Sequence, residues 1–186
     1  MTARGCGVVL LLATAGALAQ PVAPAPRGAF AAFTSGDARV QRGGDAPQSL
    51  ARGESLHAGD LVVTGPAGRA QLVLADGSRV ALQADSRVSL GHGAPPALGF
   101  GAGSVRVLPA AHGAEFQLRT TRGAVRVRGA GFSATNNPDD SVSVASEREP
   151  VEVCTAAGCV MAGDDNVRVR AEDLPPTRTN ARARWR

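Results

Sequence analysis

The stretch Gly59-Asp60-Leu61-Val62-Val63-Thr64-Gly65, continued by Arg69-Ala70-Gln71-Leu72-Val73-Leu74-Ala75-Asp76-Gly77-Ser78-Arg79-Val80, decides the fold. Short aliphatic runs alternate with polar residues, and each run stops at Gly, Asp or Ser. Alternation places every second side chain on one face, the mark of half-buried strands. The stops are turn chemistry: Gly admits positive φ, and Asp and Ser side chains bond nearby backbone.

Outward from this stretch the same pattern runs from about Gly36 to Arg170. Apolar residues pair at i and i+2 in Leu72/Leu74, Val80/Leu82, Val88/Leu90, Val105/Val107, Phe116/Leu118, Val125/Val127, Val142/Val144, Val151/Val153 and Val167/Val169. Breaks fall at Gly113, Gly123, Asn136-Asn137-Pro138 and Gly163-Asp164-Asp165-Asn166. No 3.6-residue apolar period competes after the first 19 residues. Many short, evenly spaced strands predict one all-β domain, built as a β-solenoid-like or sandwich stack. Arg106, Arg126, Arg128, Arg168 and Arg170 fall between the apolar positions and are expected on the opposite, solvated face.

The two ends read differently. Arg4, the apolar run from Gly7 to Leu18 and the small-x-small triplet Ala17-Leu18-Ala19 predict a signal peptide over residues 1–19, cleaved near Ala19. The run is too short to span a bilayer, and no later one is long enough, so a periplasmic or secreted chain is expected, without a transmembrane segment once cleaved. Residues 20–35, rich in Pro and Ala, read as a spacer, with Phe30 and Phe33 available to dock the domain start. The β domain is expected over 36–172, and 173–186 read as an Arg-rich tail without fixed structure.

Charge placement argues against nucleic acid. The 20 basic residues are all Arg, but Gln20 to Asp173 holds 15 of them with all 16 acidic residues, a net charge of −1. A near-neutral domain lacks the net positive charge on which nucleic-acid binding rests. Five Phe, one Trp and no Tyr leave few stacking platforms for bases or sugars.

Chemistry is sparse. Beyond Cys6 in the leader, Cys154 and Cys159 remain, flanking Thr155-Ala156-Ala157-Gly158; an even count in an exported chain predicts a disulfide at the mouth of a hairpin with a four-residue loop, with a Cα separation near 5.5–6 Å. Gly158-Cys159-Val160 also resembles the nucleophile segment of L,D-transpeptidases, which would imply a peptidoglycan-directed envelope enzyme using Cys159. The His expected before the Gly is Ala157, and Cys154 is placed to consume the thiol. His57, His92 and His112 lie in separate Gly-rich turns without metal-ligand spacing. Asp139-Asp140 and Asp164-Asp165-Asn166 lack the spaced acids of a calcium loop. No catalytic residue, metal or cofactor is predicted.

In their order and spacing, these residues resemble the FecR domain family. The matching segments are Gly36-Asp37-Ala38-Arg39-Val40, Leu50 through Gly65, Arg69 through Val80, Gly103-Ser104-Val105-Arg106-Val107, and Phe116 through Gly129. Where the family has Arg-Gly-Thr-x-Phe, this chain reads Arg128-Gly129-Ala130-Gly131-Phe132. The resemblance implies a non-enzymatic, extracytoplasmic β module that binds another envelope component, protein or glycan, in cell-surface signalling. The cytoplasmic anti-sigma segment and membrane span of the best-known architecture are not expected in this chain. The expected interaction loops carry Gly59 and Asp60, Asp76, Gly77 and Ser78, and Arg128 and Gly129. A purely structural assembly module is the remaining alternative.

Overall fold

A computed structural model describes residues 29–93, 95–111, 113–163 and 165–179. The expected signal peptide and most of the expected tail lie outside these residues.

The described chain is all β. Its strands are β1 (Ala29–Ser35), β2 (Ala38–Gln41), β3 (Gln48–Ser49), β4 (Ser55–Leu56), β5 (Leu61–Thr64), β6 (Arg69–Val73), β7 (Arg79–Leu82), β8 (Arg87–Leu90) and β9 (Ala97–Ala102). They continue as β10 (Ser104–Leu108), β11 (Glu115–Thr120), β12 (Gly123–Arg128), β13 (Phe132–Asn136), β14 (Val142–Ser146), β15 (Val151–Thr155), β16 (Gly158–Ala162), β17 (Asn166–Val169) and β18 (Thr177–Thr179).

Two nine-stranded sheets result. Sheet A has the order β18-β17-β14-β13-β10-β7-β6-β1-β4, and sheet B the order β16-β15-β12-β11-β9-β8-β5-β2-β3. From β6 onward the chain lays two strands in one sheet, crosses, lays two in the other and returns, with β10 the single-strand exception, so the sandwich grows lengthwise like a solenoid. A two-strand excursion brings the chain back antiparallel. Between β9 and β11 the excursion is one strand, β10, and there the pairing is parallel.

Alternation fills the space between the sheets. Every member of the nine apolar pairs is buried. Phe100, Phe116 and Phe132 are the largest fully buried side chains, and Phe116 meets Phe132 edge to face at 6.0 Å between ring centroids. Each such side chain contributes roughly 1.5–3 kcal/mol by leaving water.

Both expected domain limits move outward. Ala29–Ser35, expected as spacer, is a strand of sheet A paired with β6 and β4. Its backbone ladder and the fully buried Ala31 anchor it, while a register shift between Ala31 and Phe33 leaves Phe33 48% exposed. At the other end Thr177–Thr179, expected to be without structure, pairs with β17. In both places backbone hydrogen bonds to a sheet edge order residues that have no apolar period.

The expected arginine face divides in two. Arg106 and Arg168 belong to sheet A, Arg126 and Arg128 to sheet B, and Arg170 follows β17. One stripe in sequence becomes two surfaces on opposite sides of the sandwich.

Candidate functional site

The turns emerge along two rims. On one rim lie the β4–β5, β6–β7 and β8–β9 connections, the β10–β11 loop and the β12–β13 turn. The β4–β5, β6–β7 and β8–β9 turns enclose a cavity of about 370 Å³ lined by Leu56, His57, Leu74, Asp76, Leu90 and His92, among others. Leucine side chains form its floor, and His57 and His92 are exposed at its mouth.

The expected interaction residues divide by role on this rim. Asp60 is only 5% exposed, and its Oδ2 accepts from the His57 N–H at 2.9 Å and lies 3.5 Å from Arg42 Nε. Arg42 in turn bonds Glu54 Oε1 at 2.6 Å. A backbone hydrogen bond from Ala51 and then the Arg42 guanidinium hold the Glu54 carboxyl below its usual range. Gly59 donates its N–H to Leu90 O at 2.7 Å. Asp60 thus fastens the turn, and the neighbouring His57 side chain is what the turn offers to solvent.

The Asp76-Gly77-Ser78 turn is built similarly. Asp76 accepts from the Ser78 N–H at 3.0 Å and the Ser78 hydroxyl at 2.6 Å. Gly77 sits at φ +89°, where a side chain would be strained. The buried Ser78 Oγ accepts from the Ala110 N–H at 3.1 Å, tying this turn to the β10–β11 loop. That loop reaches the third expected segment, because the Gly113 N–H donates to Gly129 O at 3.2 Å. The fold therefore strings Gly59-Asp60, Asp76-Gly77-Ser78 and Arg128-Gly129 along one rim, although 70 residues separate the first from the last. The first two segments flank the cavity; Arg128 and Gly129 lie farther along and do not line it.

Arg128 turns to the outer face of sheet B, where it pairs with Glu115 at 3.0 Å and reaches Glu152 at 4.0 Å. Arg106 pairs with Glu147 on the other sheet. These arginines are neutralised where they stand.

The expected disulfide is present: Cys154 and Cys159 are joined. The hairpin is tighter than expected. Pairing continues through Thr155 and Gly158, leaving the two-residue loop Ala156-Ala157. The cysteines lie directly opposite one another, with Cα atoms 4.1 Å apart rather than the expected 5.5–6 Å. That is the close spacing of a non-hydrogen-bonded antiparallel pair, about 4.5 Å. Glu152 is close enough to both sulfurs to form a metal-like cluster, but sulfurs joined to each other are not thiolate ligands.

One surface was not among the sequence expectations. On the outer face of sheet B, Gly99 and Gly101 floor a shallow groove of about 280 Å³ between Leu61, Ser89 and Arg87 on one side and Arg119 on the other. Glycine at two successive outward positions of β9 was the available clue, since glycine within a strand often marks close approach.

The opposite rim is closed by its own hydrogen bonds. Thr64 Oγ1 donates to Gln83 O at 2.5 Å and accepts from the Ser86 N–H at 2.9 Å. Ser86 Oγ donates to Ser104 O and accepts from the Ser104 N–H, both at 3.0 Å. Ser104 Oγ meets Thr135 Oγ1 at 3.0 Å. Asn137 and Ser141 continue the network, and two hydrogen bonds from Ser141 hold the Asp139 carboxyl below its usual range.

Fold and rims together define a class: a two-sheet β stack that presents loops along one rim, with no assembled catalytic cluster among the described residues. The FecR protein family model matches residues 60–152. The chain belongs to the FecR protein family. The matched segment is shorter than the span from Gly36 to Arg170 over which the motifs were read. Among solved structures, two crystal structures of a candidate anti-sigma factor from Parabacteroides distasonis ATCC 8503, at 1.65 and 2.50 Å resolution, share the fold. In each, identity is 19%, the TM-score is 0.52, and the match covers 66% of this chain and 60% of the other. This chain thus spans less than two thirds of that protein. No curated protein matches the sequence. Among the described residues no helix is long and apolar enough to cross a membrane.

Proposed function

We propose that this chain is a non-enzymatic, extracytoplasmic FecR module that binds another component of the cell envelope, protein or glycan, and acts in cell-surface signalling. The observation that carries the reading is the open rim: loops distant in sequence converge there around a concave, leucine-floored cavity with two imidazoles at its mouth. Family membership supports a regulatory role, and the description of the structural neighbour as a candidate anti-sigma factor points the same way. The Cys154–Cys159 bond counts against the enzyme alternative, because it occupies the sulfur that would have to be the nucleophile.

The test is capture from an envelope extract by the full chain, a chain ending at Thr179, a His57→Glu/His92→Glu variant and an Arg122→Glu variant, Arg122 lying in the β11–β12 turn on the opposite rim, 3.6 Å from Asp140. The reading expects one specific component retained by the first two and by Arg122→Glu, and lost from the double-histidine variant. Capture that needs residues 180–186 and disappears at high salt would make the arginine tail the binding element and overturn it.

A further inference from the structure

The four sheet edges differ in a way that points to self-association. β3 and β4, which end the two sheets on one side, are two residues long. β18, the edge of sheet A on the other side, has three residues and carries the exposed Arg178 opposite Val167. Very short strands and a charge on the edge are two ways of keeping an edge from pairing. β16 carries neither. It is five residues long, Gly158-Cys159-Val160-Met161-Ala162, without charge or proline, and Met161 is 44% exposed.

Its register fixes which backbone groups are free. Thr155 and Gly158 close a two-residue loop, so they form a hydrogen-bonded pair, and the pairs alternate from there. Cys154/Cys159 and Glu152/Met161 are then non-hydrogen-bonded pairs, as the 4.1 Å Cα separation of the cysteines attests. The N–H and C=O groups of Cys159 and Met161 therefore point away from β15, and no other described strand pairs with β16.

We propose that β16 is a dimerisation edge: two copies of this chain pair their β16 strands antiparallel about a twofold axis at Val160, joining their B sheets into one. The occupant follows from self-complementarity. With Val160 opposite Val160 of the second copy, Cys159 stands opposite Met161 of the second copy, and all four outward N–H groups find an outward C=O. Met161 then covers the disulfide of the second copy, and no like charges within β16 face each other. An isologous contact at one edge closes on itself, whereas the blunted edges stop further growth. Five residues a side place it among small, reversible interfaces.

The inference is independent of the proposed function. It is tested by sedimentation equilibrium from about 10 μM to about 1 mM, the range where weak pairs dissociate, and by oxidative cross-linking in a Cys6→Ser background. Val160→Cys places two thiols across a non-hydrogen-bonded pair, about 4.5 Å between Cα atoms, within disulfide reach. It should form a covalent dimer at least tenfold faster than Ser49→Cys, which sits on exposed β3. Met161→Pro removes an outward N–H while sparing the β15 ladder and should abolish both the cross-link and the dimer; Met161→Lys, safer for folding, should weaken both at least tenfold. A chain monomeric at every concentration, with Val160→Cys no faster than Ser49→Cys, overturns the proposal. So does a dimer that neither Met161 variant disturbs.

Discussion

The two rims are made from similar residues and end differently. On the closed rim, Thr64, Ser86, Ser104 and Thr135 spend their hydroxyls on one another and on neighbouring backbone. On the open rim, Asp60, Asp76 and Ser78 also bond locally, but they support turns that leave His57 and His92 in solvent beside an apolar cavity. A buried polar group that loses its partner costs about 1–3 kcal/mol, whereas an exposed one costs little. The closed rim should therefore matter for stability and the open rim for recognition.

The largest effect expected from breaking this division is on the closed rim. Gly103 sits at φ +81°, and a Cβ there would lie 2.3 Å from Ser86 Oγ and 2.5 Å from Ser86 Cα. Gly103→Ala combines backbone strain with that collision and should cost on the order of 3 kcal/mol in a urea unfolding series. Ser86→Ala, which orphans the Ser104 N–H and removes the hydroxyl that donates to Ser104 O without adding strain, should cost about 2 kcal/mol. Gly77→Ala on the open rim also faces positive φ but meets nothing nearer than the Ala110 Cβ at 3.5 Å, so the same measurement should show a smaller loss than Gly103→Ala.

Reduction of Cys154–Cys159 tests the β15–β16 hairpin. The bond closes a loop of six residues, for which chain entropy gives about 2 kcal/mol. Thermal unfolding with and without reductant should show the difference, and Cys154→Ala/Cys159→Ala should show it without reductant.

Acid should act on both rims. Glu54 beside the open rim and Asp139 on the closed rim both have carboxyls held below their ordinary range. Their contribution is complete above the unfolded values and is lost as pH falls through the lower folded values, so it should fade below about pH 4 and be flat between 6 and 8. The gap between the unfolding midpoints at pH 7 and pH 3 should narrow when Glu54→Gln and Asp139→Asn are combined. The smallest stability effect, within about 0.5 kcal/mol, is expected for His57→Ala/His92→Ala, because both side chains are exposed. That variant should nevertheless lose envelope capture; a large stability loss would mean that the open rim is structural after all.

The core was legible because strand period is local. Pairs such as Val105/Val107 and Phe116/Leu118 declare a buried face whatever they pack against, and all nine pairs lie in the core. Strands lacking that pattern were missed for a physical reason. β3 and β4 are two residues long, and β1 and β18 are ordered by backbone pairing rather than by apolar side chains. The disulfide was legible from cysteine count and spacing, but its register was not, because that depends on where the hairpin closes.

By itself the sequence determined an all-β chain, its inward residues, its turn chemistry and its family resemblance, all consequences of interactions a few residues long. Tertiary structure alone decided that the arginines separate onto two faces, that Asp60 is buried while His57 is offered to solvent, that three distant loops share a rim, and that β16 is left as an open edge. Those outcomes depend on which sheet each strand joins, and that is set by pairing between residues far apart in the chain.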